Sequence, residues 1–162
     1  MASADQLRAD HLHMDHSTTQ LGLSEDAAIV LALADTAVPF AASPEDEAER
    51  WVRVLRLHGV VGTALQSLGV GEAPLETPAQ PASVRLLRRR PLGEDVVQMV
   101  TDEARKFARA RSASVVGTVD VLFALFVVYG KAFDRALYVR GTTREELIER
   151  LPADVQARVA GS

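Results

Sequence analysis

The sequence predicts an all-α domain, and three observations carry that prediction. Nine consecutive apolar residues, Val121 to Tyr129, follow directly on a Gly117-Thr118 helix start. Segments with an apolar helical stripe and recognisable caps recur from Ser24 to Leu151. No stretch alternates convincingly, as a half-buried strand would. A helix apolar on every side must be wrapped by other helices or by lipid, and nine residues are too few for a bilayer, which needs about 20. Residues 121–129 are therefore expected to be the core.

The elements can be justified in order. Residues 1–20 carry no apolar stripe and read as a flexible N-terminal arm. Ser24 is an N-cap, and the charges of Glu25 and Asp26 suit the positive end of the helix dipole; this first helix is expected to end near Ala42. Ser43 caps a second, with Pro44 at the first helical position, where its missing N–H costs nothing, and Gly59 is expected to close it. A third covers Val60 to Leu68 and stops at Gly69 and Gly71. Residues 71–92 contain Pro74, Pro78, Pro81 and Pro91 and cannot hold a long helix, so they read as a linker in which any helix is short. Leu92 to Ala108 is amphipathic, with Val96, Val97, Val100, Ala104, Phe107 and Ala108 on one side. After the apolar segment, Lys131 to Val139 forms a short helix. Thr143 and Glu146 make a capping box for the next, with Leu147 and Leu151 as its buried contacts. Pro152 to Val155 supplies a last turn or two.

The second half of this series resembles one repeat of the Clp unfoldase N-terminal domain. The residues that carry the resemblance are Glu103-Ala104, Val116-Gly117-Thr118, Leu122-Phe123-Ala124-Leu125 and Leu137-Tyr138-Val139. That family has two such repeats in tandem, so the resemblance implies a degenerate copy in the first half. An offset of 69 brings Leu23 onto Leu92, Glu25-Asp26 onto Glu94-Asp95, Ala41 onto Ala110, Val52 onto Val121, Leu68 onto Leu137 and Val70 onto Val139. The first copy departs in its second helix, where Glu47 to Trp51 stand in place of Gly-Thr-x-Asp. The expected organisation is thus the arm, 1–20, and a Clp N-like domain, 21–162, made of two pseudo-symmetric four-helix repeats: a degenerate repeat one, 21–70, the linker 71–92, and repeat two, 93–160.

Composition agrees. A chain of 162 residues is long enough to bury a real core. The net charge of −4 supplies no general attraction to nucleic acid or an acidic membrane. The absence of cysteine excludes disulfides and thiolate chemistry. No signal-peptide h-region is recognisable, which points to the cytoplasm. Arginine greatly outnumbers lysine, of which there are only Lys106 and Lys131. Neither lies in a Walker A string, so no ATPase is expected, and no nucleophile motif has supporting context.

Four features bear on function. His11, His13 and His16 with Asp15 match the H-x-H-x-D-H string of metallo-β-lactamase-type hydrolases. Those enzymes set the string after a buried strand and take further ligands from distant loops. Here the only other histidine is His58, so weak adventitious binding is the most this arm should offer. The linker arginines Arg85, Arg88, Arg89 and Arg90 could pair with an acidic partner, although no aromatic residues interleave with them to stack bases. In Clp N-terminal domains that read phosphorylated arginine, the residue after Gly-Thr is usually Glu, which holds the guanidinium. Val119 stands there in repeat two and, by the offset, Arg50 in repeat one, so that recognition is expected to be lost. Lastly, Phe40 and Trp51 either fill the core or anchor a partner, with Tyr129 and Phe133 as a second contact area beside Phe126, which of the three is the one expected to be buried.

These readings converge on a non-enzymatic module without cofactor that binds protein or peptide. The resemblance implies a Clp unfoldase, an adaptor or a client as partner, with the chain acting as adaptor, regulator or sequestering decoy; a small molecule that targets the family's domain is a further ligand class. It is expected to be a monomer or homodimer that binds neither nucleic acid nor membrane. The alternatives are a structural dimerisation module that pairs through repeat one and buries Trp51, and a small metallohydrolase built on the histidine arm.

Overall fold

A computed structural model describes residues 19–71 and 95–159, and there the chain is predominantly helical. Helix α1 (Glu25–Ala37) starts at Ser24, whose hydroxyl accepts the Ala27 N–H at 3.2 Å. It ends short of Ala42 because Pro39 has no N–H to continue the ladder and its ring crowds the preceding turn. A single 3-10 turn, Val38–Phe40, takes over. Helix α2 (Pro44–Leu55) opens at Ser43, which accepts the Asp46 N–H.

Gly59 does not close α2. It opens α3 (Gly59–Ser67) with φ +67°, and a Cβ there would lie 2.8 Å from the Thr118 hydroxyl. Only glycine satisfies both the left-handed backbone and that approach.

In the second half, α4 (Val96–Ala110) is capped by Asp95. Helix α5 (Thr118–Tyr129) and α6 (Lys131–Val139) are joined through Gly130. Thr143 and Glu146 form the expected capping box of α7 (Arg144–Glu149). After Pro152 comes α8 (Ala153–Val159). Two strands of two residues, β1 (Gly22–Leu23) and β2 (Val115–Val116), pair in parallel, and the Ser24 N–H donates to the Val116 carbonyl at 2.8 Å. Strands this short leave no alternation to read in a sequence, yet they staple the start of α1 to the start of α5.

The described helices share one core. α4 lies along α5, α2 along α6 and α3 against α5, while α1 touches α2, α4 and α5. Val30, Trp51, Leu65, Val100, Leu122, Leu125, Phe133 and Leu147 from seven helices meet in it. Trp51 is fully buried, its indole N–H donating to the Tyr129 hydroxyl at 3.0 Å, which in turn donates to Glu47 at 2.7 Å. Burying an aromatic side chain together with its polar tip stabilises the α2–α5 contact by about 1.5–3 kcal/mol from area alone. At the other end, Arg140, just past α6, forks onto Glu49 of α2. No described helix is long and apolar enough to cross a membrane.

A candidate binding groove at the start of α5

The apolar rod is not enclosed on every side. Val121, Leu122, Ala124, Leu125, Phe126 and Tyr129 are buried, but Val119 and Phe123 are only half-buried and Val127 is 59 % exposed. Those three residues are spaced four apart, so they form one stripe along the helix. The stripe's first part is the floor of a groove of about 600 Å³, bounded by the C-terminal part of α4, the starts of α1 and α3, and α8.

The apolar lining comes from Val60, Phe107, Val119, Phe123, Val155 and Val159. Phe107 and Phe123 support one another, with ring centroids 5.8 Å apart. Phe123 leans edge-on against Phe126, and Phe126 against the buried Phe133, so the groove wall is continuous with the core. A cavity of this size lies within the range of pockets that take small molecules or a few peptide side chains, about 300–1,000 Å³.

One rim is fixed by a charge pair whose carboxylate is buried. Asp120, the third residue of α5, is only 1 % exposed, and its carboxylate accepts the Gly117 N–H at 2.8 Å. The same carboxylate receives the Arg111 guanidinium through Nε at 2.7 Å and Nη2 at 2.5 Å. That hydrogen bond pushes the arginine further above its already high range; burial opposes the shift, and the charges of Asp120 and then Asp154 reinforce it. The pair locks the turn between α4 and α5 in place. Asp26 of α1 and Asp154 of α8 face the same groove.

The predicted site residues fall into five sets. Val119 lines the groove. Trp51, Tyr129 and Phe133 are core residues, which removes them as surface anchors. Phe40 is 79 % exposed at the end of the 3-10 turn. Arg50 donates to the Ala37 carbonyl at 2.9 Å and to Asp46, so it ties α2 to the end of α1. His11, His13, His16, Arg88 and Arg89 lie outside the described residues. Among the described residues no group of three or more histidine and acidic side chains is placed to hold a metal.

Arg111, Asp120, Phe107 and Phe123 were not singled out as site residues from the sequence. The available signal was Asp120 itself, one carboxylate inside an apolar run that must find a partner once buried.

A second depression, of about 370 Å³, lies where α6 meets α7 and is lined in part by the Arg144–Asp134 ion pair. No protein-family model matches the chain, and no curated protein matches it.

Proposed function

We propose that this chain is a non-enzymatic binding module of the Clp N-terminal type that takes an apolar peptide segment in the groove at the start of α5. The single observation that carries the reading is the uncovered stripe of Val119 and Phe123, on a helix whose other sides are packed, opening at the Val116-Gly117-Thr118 motif on which the resemblance rests. A soluble domain that leaves apolar surface in a concave, charged-rimmed site offers a place for another molecule.

The helix pairing supports a duplicated architecture. Matching α1, α2 and α3 to α4, α5 and α6, the contact of α2 with α6 has its counterpart in the contact of α5 with α3, and α1 meets α4. The helix caps also give a better register than the offset of 69. With Ser43 set on Gly117, Asp46 falls on Asp120 and Glu45, rather than Arg50, falls on Val119.

The expectation for phosphoarginine changes accordingly. The groove in the second half still lacks an acidic acceptor at Val119, whereas the first half carries the exposed Glu45. Calorimetric titration with free phosphoarginine is expected to show no binding at the groove and at most one site elsewhere; two saturable sites would refute this.

By resemblance the partner is a Clp unfoldase, an adaptor or a client, and the setting is the cytoplasm of a bacterium. Selection from a random peptide library tests the reading: recovered sequences should carry apolar anchors and lose binding to a folded Phe123→Glu variant. Equal recovery on that variant would remove the groove as the site. A second reading, homodimerisation, cannot use Trp51 as its anchor and rests on Ile29 and Leu33, which lie four apart and outward on α1, with Phe40 beyond. Light scattering that shows a dimer dissociated by Leu33→Glu would favour it.

A further inference from the structure

We propose that α8 is a hinged flap that closes over whatever apolar group fills the groove, an inference that rests on the groove being the binding site. Four observations point to it. Pro152 separates α8 from α7, and the buried Leu151 just before it fixes the pivot. None of α8's seven residues is buried, although Val155 and Val159, four apart, both line the groove.

The Gln156 side chain donates to the Glu149 and Leu151 carbonyls at 2.7 and 2.6 Å, so these bonds run back to the end of α7 and none of their hold reaches the opposite wall. Across the groove, the apolar grip of α8 on the core is the partly buried Val155. The facing wall is different in kind. It is the α4–α5 contact, the most extensive pairing among the described helices, locked by Arg111 and Asp120.

A helix of seven residues is too short to hold itself together in water. Its order therefore depends on what it packs against, and the apolar part of that packing is one side chain beside a cavity of about 600 Å³. An apolar group entering the cavity gives Val155 and Val159 a surface to cover, and the ordering of α8 becomes part of binding. The ligand class that fits is a neutral apolar group: the aromatic or branched side chains of a peptide segment, with the backbone left to the polar rim.

The test uses the full chain and the neutral dye Nile red, with hydrogen exchange followed residue by residue. Saturable dye binding is expected, with the amides of 154–159 exchanging at least tenfold more slowly at saturation while those in the middle of α4 are unchanged. The Val155→Ser/Val159→Ser double variant, with α4 exchange intact, should release the dye at least fivefold faster. If dye binds and exchange in α8 is unaltered, α8 is a fixed wall and the flap is refuted while the groove stands. Faster exchange in α8 would make it a displaced plug, which also refutes closure. Absence of saturable binding to the folded wild-type chain would overturn both the flap and the groove.

Discussion

The starts of α2 and α5 share a local plan and finish as opposite surfaces. Each helix has twelve residues, and each has a carboxylate at the third position, Asp46 or Asp120. Each carboxylate accepts an N–H from the chain just upstream, Ala42 or Gly117, and each meets an arginine, Arg50 or Arg111. In α2 the pair is about a third exposed on both sides and the helix keeps a charged outer face. In α5 the carboxylate is buried, the helix has no charged face, and one apolar stripe is left partly uncovered. The same capping chemistry therefore serves a closed surface in one half and an open one in the other. What distinguishes them is the side-chain pattern after the cap.

The largest expected effect tests the closed side. Trp51→Ala removes a fully buried indole and leaves the Tyr129 hydroxyl without one partner, so urea unfolding should show a loss of about 3–5 kcal/mol. A loss below about 1 kcal/mol would mean that α2 is not packed on α5 through this residue.

The comparison sharpens with the paired carboxylates. Asp120→Asn weakens a buried acceptor of three hydrogen bonds, and because Arg111 is about a third exposed the expected loss is near the low end for charged bonds, about 2 kcal/mol. Asp46→Asn, in the more exposed counterpart, should cost under about 1 kcal/mol. Equal losses would erase the distinction drawn between the two starts. On the arginine side no loss is expected on moving from neutral to moderately alkaline pH. The folded-state value of Arg111 is raised, so its contribution is present below the ordinary arginine range and is lost only as pH climbs through that higher value.

A smaller change probes the link between the two helices. Tyr129→Phe keeps the ring and deletes the hydroxyl that joins Trp51 to Glu47, leaving a buried indole N–H unsatisfied. Thermal unfolding should report a loss of about 1–2 kcal/mol. An unchanged midpoint would show that the indole finds another acceptor.

Much of this architecture is legible in the sequence, and the reasons are local. Ser24, Ser43 and the Thr143–Glu146 box announce three helix starts because a side-chain oxygen must meet an orphan N–H within three residues. Lys131 to Val139 is bounded by glycines on both sides, and the helix keeps those limits. What the sequence does not display is tertiary. Gly59 reads as a stop, yet its role is set by Thr118 in another helix. Trp51 reads as core first and anchor second, and its burial against Tyr129 decides for the core. The apolar run of α5 signals burial, but which of its faces stays partly open depends on how α4 and α8 lie, so Val119 could be named from its place beside Gly-Thr while Phe107 and Phe123 could not.

The smallest expected effect on stability is the most direct probe of the open side. Val127 continues the stripe of Val119 and Phe123 beyond the groove and is 59 % exposed, so Val127→Ser removes almost no buried area. Its cost should stay within about 0.5 kcal/mol, as for ordinary surface positions. Phe123→Ser, one turn earlier, loses the contact with Phe107 and should cost more in stability while abolishing groove binding. If Val127→Ser weakens a bound peptide several-fold at unchanged stability, the docking surface extends along the whole stripe. If it leaves affinity untouched, the groove ends at Phe123, and Val127 is an ordinary exposed apolar residue.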